Sequence, residues 1–565
     1  MFWRSSLLTL ALLSLQLSPV RAQAAPGLPT HFGFGLSAGQ GDTWMPQSAI
    51  GWDYRFQYLV GGVNTNQGWE TWNPNGTFAL NYAQESQQHG YIPMFPYYEL
   101  LQSNGSCGNC DENRKDLTNL NDAGLMHAYF DNFALLMKRL GPGTYDGIKG
   151  FGSTALINVE ADFSGGYAMQ AANRGVCFNF CTGRGNEPTL VKASVASSGF
   201  ADVAGFPDTY TGYTQALAHL RDLYAPNVLL GYDVSTFATG VDLGLDTNPN
   251  LDGAALGNEV GVFMSKLGPH EVLFHNPLDR DAGQYKALFG QNRWWDRLNQ
   301  TFPNFTRWQQ YLHATVVADG NKPMLLWQVP AGNQYFQTVN NTNGHFQDNR
   351  AEYIFSHVPE LIQTGIVGVM FSPGNAGGTT WGDTIKDGIT NPPVICTSDG
   401  LSSGQICNNH ESTVADDDGG YIRMSGQAYY QSPVALSGAA ALTGSASPVA
   451  APVHVELMGA GVDPGDGIGG QEIVFHQELT VSTDANVLVD FELYDNRGQR
   501  VWQVWHDNLQ FQGGAVSSDI AVFTIPDSLP AGQYTLKAGV FSAGWGTQYA
   551  WNDNAGKLTV GGGAA

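Results

Sequence analysis

The stretch LINVEADFSGGY (156–167) begins as a buried strand, with apolar Leu156, Ile157 and Val159, and then carries Glu160 and Asp162 two residues apart. In an extended chain residues i and i+2 point to the same side, about 7 Å apart, so both acids are expected to face one space beyond the strand end. Two such charges cost energy unless something uses or neutralises them. One reading is an ion pair or a helix cap, with Ser164, Gly165 and Gly166 serving a turn. The other is a catalytic acid.

Runs of the same kind recur on both sides of this strand. They are HFGFGLS (31–37), YRFQYLVGGV (54–63), YIPMFPYY (91–98), STALINVE (153–160), NVLLGYDVS (227–235), EVLFH (271–275), KPMLLWQV (322–329) and GIVGVMFS (365–372). Between most of them lie segments with i, i+3, i+4 apolar spacing, over 123–141, 211–224 and 348–365, which predict helices. Alternation of strand and helix argues for a parallel sheet with crossover helices. Eight such strands predict an α/β fold, a (β/α)8 barrel over 28–435. Residues 38–53 carry too many turn formers for a full first helix, so a distorted barrel or a doubly wound open sheet is the alternative.

Residues 436–452 (LSGAAALTGSASPVAAP) are small, uncharged and proline-punctuated, which marks a linker. Beyond them, over 453–561, half-buried strands are expected at 487–494, 500–505, 519–525 and 533–541, separated by turns such as DNRG and LPAG. This predicts a separate antiparallel β-sandwich.

Residues 1–24 have the layout of a signal peptide: Arg4, an apolar run from Leu7 to Leu17, then small residues at Ala22 and Ala24. Export is expected, with no membrane anchor after cleavage, because the run is shorter than the roughly 20 residues a span needs. Lys and Arg number 26 against 50 Asp and Glu, a formal charge of -24. That leaves no basic stripe for a nucleic acid. Few charges and many aromatics suit uncharged ligands such as sugars.

The cysteines fall into close pairs, Cys107 with Cys110, Cys177 with Cys181 and Cys396 with Cys407, which in an exported chain read as local disulfides. The CGNC pair has no second CxxC or His pair to complete a zinc site. N-X-S/T sites occur at Asn75, Asn104, Asn299, Asn304 and Asn340. GVDPGDGIGG (461–470) and ADDDGG (415–420) offer oxygen ligands without the EF-hand spacing and read as surface turns. No HExxH or P-loop pattern appears, and no cofactor is expected.

Barrel ligands bind at the C-terminal ends of the strands. Standing there are Tyr97 and Glu99 after strand three, Glu160 and Asp162 after strand four and Asp233 at the end of strand five. HNPLDRDAGQY follows strand six, with Asp279, Arg280 and Asp281. WQVPAGNQY ends strand seven, with Trp327, Gln328 and Asn333, and SPGNAGGTTWGD ends strand eight, with Trp381. Rings, amides and acids of this kind stack on sugar faces and bond hydroxyls.

A signal peptide, a barrel with acidic strand ends and a trailing sandwich together resemble secreted glycoside hydrolases with an accessory module. INVEADFSGG is similar to the strand-end E-P-D motif of family-6 cellulases, with Ala161 in place of the proline. The resemblance implies that Asp162 is the proton donor. The chain departs from the large retaining barrel families, having Val-Glu after strand four and Trp327 and Gln328 where they carry a nucleophilic Glu. YTLKAGVFSAGWGTQYAWNDN (534–554) resembles appended sandwich modules, and its Trp545, Tyr549 and Trp551 are expected either to bind polysaccharide or to pack in the core and between the domains.

The function expected is hydrolysis of O-glycosidic bonds in a polysaccharide such as a β-glucan, by an exported monomer. Asp162 or Glu160 would be the acid, and Asp279, then Asp233, the second carboxyl. The rival is a non-catalytic glycan-binding or adhesive protein using the same aromatic cleft. Two carboxyls across a groove favour the first, and a single isolated acid the second.

Overall fold

Eight parallel strands close into a barrel: β1 Gly33–Ser37, β2 Tyr54–Phe56, β3 Ile92–Tyr97, β4 Ala155–Val159, β5 Val228–Asp233, β6 Val272–His275, β7 Met324–Pro330 and β8 Ile366–Ser372. Each lies within one of the apolar runs, and each neighbour in the chain is its neighbour in the sheet. The computed structural model describes residues 25–561 except 176–177, 298, 335–340, 375–376, 381–419, 437–453, 483–484, 512–515 and 544–547. The expected signal peptide, nearly all of the linker, Cys177, Cys396, Cys407, Trp381, Trp545, Asn340 and residues 415–419 lie outside the described residues.

Closure falls on β1, which pairs with β8 through Gly33–Gly368 to Leu36–Phe371 and with β2 through Gly35–Tyr54 to Ser37–Phe56. Only glycine fits at 35, since a Cβ there would come within 2.4 Å of the Tyr54 carbonyl oxygen. As 38–53 suggested, no full helix joins β1 to β2, only the short turn Trp44–Gln47. The helix Gly420–Tyr429, near the end of the barrel, braces this weak point. Gln427 Nε2 donates to the Ser48 carbonyl at 2.7 Å, and the Tyr429 hydroxyl donates to the Phe32 carbonyl at 2.6 Å. The Tyr430 hydroxyl accepts the Phe34 N–H at 2.9 Å and donates to Asp53.

The helices follow their caps. Asp122 accepts the Leu125 N–H at the start of Ala123–Leu140, and Thr209 accepts the Gly212 N–H at the start of Tyr210–Tyr224. The helix expected over 348–365 is instead two, Arg350–Ser356 and Val358–Thr364, broken at His357. Pro359, with no N–H to donate, sits in the first turn of the second and cannot continue the first. Asn304 is buried as the N-cap of Phe305–Ala318, which removes it as a glycan acceptor.

The C-terminal unit is a sandwich of two sheets. One holds β9 Val455–Asp463, β11 Glu472–Val481 and β14 Val516–Thr524; the other holds β10 Asp466–Gly467, β12 Ala485–Tyr494, β13 Arg500–Phe511, β15 Gly532–Ser542 and β16 Gln548–Val560. The four expected strands are β12 to β15. β9, β11 and β16 were not anticipated, because glycines, acids or a bulge dilute their apolar alternation. In β11, EIVFHQELTV, the inward set Ile473, Phe475, Leu479 and Val481 is interrupted by buried Gln477, and Val474 stands on the other face. GVDPGDGIGG is the end of β9, a turn and β10. Cys107 and Cys110 are bridged. Among the described residues no helix is long and apolar enough to cross a membrane, and no group of three His, Cys, Asp or Glu is placed to hold a metal.

The brace across β1 is testable. Tyr430→Phe removes two hydrogen bonds and leaves the Phe34 N–H unpaired, so it should lower the barrel's stability by about 1–2 kcal/mol in a denaturant titration.

Candidate active site

Strand β4 stops at Val159, and the alternation expected of Glu160 and Asp162 stops with it. Glu160 adopts a left-handed conformation, φ 45°, and a short helical turn, Ala161–Ser164, follows. The two acids therefore part company. The Glu160 carboxylate is fully buried and accepts the Glu99 N–H at 3.0 Å, the Leu100 N–H at 3.2 Å and the Tyr129 hydroxyl at 2.9 Å. It ties the end of β4 to the end of β3 and does not line a cleft. Burial pushes its carboxyl up to about 8 despite those bonds.

Two other expected binding residues lie in the same buried layer. Tyr97 donates to Asn132 at 2.9 Å and packs edge-on against Tyr129 and Phe133. Glu99 accepts the Gly62 N–H at 2.6 Å, and burial, reinforced by Glu160, pushes it up to about 9. Tyr97, Glu99 and Glu160 thus join strand ends to the helical shell, and the reading of them as sugar-facing or catalytic groups is corrected by their burial.

Asp162 goes the other way. With Gly165 and Gly166 the turn presses onto β5: a Cβ on Gly165 would meet the Asp233 carbonyl at 2.2 Å, and the Ser235 N–H donates to the Gly165 carbonyl at 3.2 Å. The turn thus sets Asp162 in the wall of a cleft of about 470 Å³ at the C-terminal mouth of the barrel. Also lining it are Asp233 from β5, Asn276 and Asp279 after β6, Trp327 and Gln328 from β7, and the rings of Tyr58, Tyr98, Tyr167 and Phe237. Because β5 lies between β4 and β6 in the sheet, Asp233 stands between the elements that carry Asp162 and Asp279.

The three acids have different surroundings. Asp162 has no side-chain hydrogen-bond partner among the described residues, and burial, then the charges of Glu112, Asp233 and Asp279, hold its carboxyl well above the usual carboxylate range. Asp233 accepts the Trp327 indole N–H and, at 3.3 Å, Asn158 Nδ2, both on Oδ2. Burial pushes it up to about 7 against those bonds. Asp279, with 39% of its side chain exposed, accepts Arg280 at 2.9 and 3.2 Å and the Tyr285 hydroxyl.

The remaining expected residues support the cleft from outside. Arg280 stacks over Tyr285 and Phe289 while it pairs with Asp279. Asp281 is buried and accepts the Gly332 and Thr379 N–H groups at 2.9 Å each, pinning the loops after β7 and β8. Asn333 is fully buried and does not line the cleft. His275, at the end of β6, donates from Nδ1 to the Val234 carbonyl and accepts the Trp308 indole N–H. Burial lowers it to about 4, so it stays neutral.

Sequence reasoning missed Glu112, Tyr58, Tyr98, Tyr167, Asp242 and Arg293. Glu112 opens the helix Glu112–Leu120, accepts the Tyr98 hydroxyl and is itself raised by burial. Tyr98 directly follows β3; the others lie in loops after β2 to β6, and that membership was their only signal.

No family model matches the chain, and no curated protein matches it. Among solved structures, a calcium-binding mutant of Bacteroides uniformis beta-glucuronidase 2 covers 94% of this chain at 10% identity and a TM-score of 0.35, and this chain spans 46% of it. The C-terminal domain of wzt covers 20% of this chain and is itself 78% covered, at 15% identity and a TM-score of 0.16. A Niemann-Pick type C2 protein from the Japanese carpenter ant covers 18% and is 96% covered, at 10% identity and a TM-score of 0.14.

The different placements of Glu160 and Asp162 predict opposite effects. Glu160→Ala should cost about 3 kcal/mol, since it strands two backbone N–H groups, while Asp162→Asn leaves the melting temperature nearly unchanged. The raised carboxyls of Glu160 and Glu99 also make stability pH-dependent. Their contribution is full below the ordinary value of 4.5 and is lost as pH rises through about 8 and about 9. Thermal melts should therefore fall with rising pH over that window, and Glu160→Gln should flatten the decline.

Proposed function

We propose that the chain is a glycoside hydrolase in which Asp162 is the general acid and Asp279 the second carboxyl. The observation that carries this reading is the convergence of Asp162, Asp233 and Asp279 on one cleft, where burial and the neighbouring charges raise the Asp162 carboxyl. Glycoside hydrolysis needs that division of labour. One carboxyl gives its proton to the departing glycosidic oxygen, and another, as the anion, attacks the sugar or activates water. Asp162 is assigned the acid's role because burial and the surrounding negative charge raise its carboxyl. Asp279, paired with Arg280 and facing solvent, supplies the anion. Asp233 acts between them: its charge raises Asp162, and Trp327 and Asn158 fix its Oδ2.

The lining supports an uncharged glycan as substrate. Asp233, Asp242 and Asp279 face a single cleft cation among the described residues, Arg293, which itself stands 3.8 Å from Asp242. Such a field repels anionic sugars. Tyr58, half-buried and packed against the buried Trp327 at 5.6 Å between ring centres, offers a face for stacking, and Asn276 and Gln328, bonded to each other at 2.8 Å, offer amides for hydroxyls. We place the enzyme outside the cell, acting as a single chain on a polysaccharide after loss of residues 1–24.

Wild-type protein incubated with a panel of neutral polysaccharides should release new reducing ends. Asp162→Asn and Asp279→Asn should each lower turnover by at least about 100-fold. Release at the wild-type rate by both variants would refute the assignment. The pH profile gives a second check. Activity should be lost as pH rises through the elevated value of Asp162, and Asp233→Asn, by removing a charge that raises it, should shift that limb to lower pH.

A further inference from the structure

A second groove, of about 850 Å³, runs between the barrel and the sandwich. Its sandwich wall is the outer face of the five-stranded sheet, the side opposite the core set Val489, Phe491 and Leu493. The strand register sets Trp505 opposite Asp490, Asp490 opposite Gly539 and Gly539 opposite Trp551. This row crosses four strands, about 14 Å from first to last. An indole stands at each end, with an acid and a bare glycine between. Trp551 lies over Gly539 so closely that a Cβ there would come within 2.4 Å of its ring. The barrel wall opposite carries Trp295 and Tyr353.

Asp490 is the unexplained group. It is fully buried on a sheet face that the sandwich core does not use. Its Oδ1 accepts Gln503 Nε2 at 3.0 Å, while its Oδ2 has no partner among the described residues. Burial pushes the carboxyl up to about 7. A buried acceptor left unmade costs on the order of 1–3 kcal/mol, and folding of the sandwich gains nothing from it. Glu492, the next outward acid on the strand, is by contrast satisfied by Arg500 and the Tyr494 hydroxyl.

We propose that this groove is a second glycan-binding site, in which Trp505 and Trp551 stack on sugar rings and Asp490 Oδ2 accepts a sugar hydroxyl. The occupant is uncharged. The groove's arginines are already committed, Arg297 to Glu352 and Arg500 to Glu492, so among the described residues no arginine or lysine of the groove is left for an anionic sugar. The site adjoins the catalytic cleft through one segment: Arg293 lines the cleft, and Trp295, two residues on, lines the groove. The Trp295 indole N–H donates to the carbonyl of Gly244, another cleft-lining residue, at 2.9 Å. A long chain held in the groove is thereby delivered to the cleft, and this last step rests on the hydrolase reading; binding in the groove does not.

The test uses the full chain carrying Asp162→Asn, with a soluble mixed-linkage β-glucan, a xylan and a galactomannan as probes in affinity electrophoresis. At least one should retard the protein. Adding Trp505→Ala or Trp551→Ala should weaken that binding by tenfold or more, and Asp490→Asn by severalfold, with melting temperatures confirming that each variant is folded. Binding to none of the three polymers, or full binding by all three folded variants, would overturn the groove. Reducing-end release by wild-type protein is scored separately. Hydrolysis without a contribution from the groove leaves the hydrolase reading intact, and groove binding without hydrolysis leaves the groove intact.

Discussion

The buried carboxylate of Glu160 is the contact on which the mouth of the barrel depends. By accepting two N–H groups from the end of β3 and a tyrosine hydroxyl from the helical shell, it holds the chain in a left-handed turn that an ordinary residue avoids. That turn ends β4 and carries Asp162 into the cleft. The adjoining glycines let the turn lie against β5, so that Asp162 and Asp233 come to share one electrostatic environment. Glu160 thus serves the architecture, and Asp162 is left facing the cleft.

The second constraint is the concentration of acid at that mouth. Glu99, Glu112, Asp116, Glu160, Asp162 and Asp233 are all raised, and in each burial is the leading cause. Asp116 is an extreme case, with both carboxylate oxygens buried and unbonded. Such a site resists full ionisation, because each added charge raises the cost of the next. Asp279, with 39% of its side chain exposed, is paired with Arg280. Asp162 and Asp279 differ in where each stands relative to water and to that guanidinium.

The barrel was legible in the sequence because parallel strands buried on both faces read as continuous apolar runs, and the eight runs from 31–37 to 365–372 are the eight strands. Asp162, Asp233, Asp279, Trp327 and Gln328 were legible for a related reason: strand ends are fixed by the fold, and the residues just beyond them have few other places to go. Glu160 was misread because period-two alternation was carried one residue past the end of the strand. Tyr97 and Glu99 were misread because strand-end position does not say whether a side chain faces the mouth or the helices. Glu112, Tyr58 and Arg293 come from loops whose course depends on tertiary packing, which no local pattern encodes. In the sandwich, β11 and β16 were hidden by a polar outer face and a bulge.

The account turns on whether Asp162 holds a proton in the cleft at neutral pH. An infrared difference spectrum at that pH, wild type minus Asp162→Asn, reads this without a substrate. It should show the carbonyl stretch of a protonated carboxylic acid, and that band should disappear as the pH is raised. A spectrum containing only the stretches of an ionised carboxylate would contradict the account, because an acid already deprotonated at neutral pH has no proton to give the leaving oxygen.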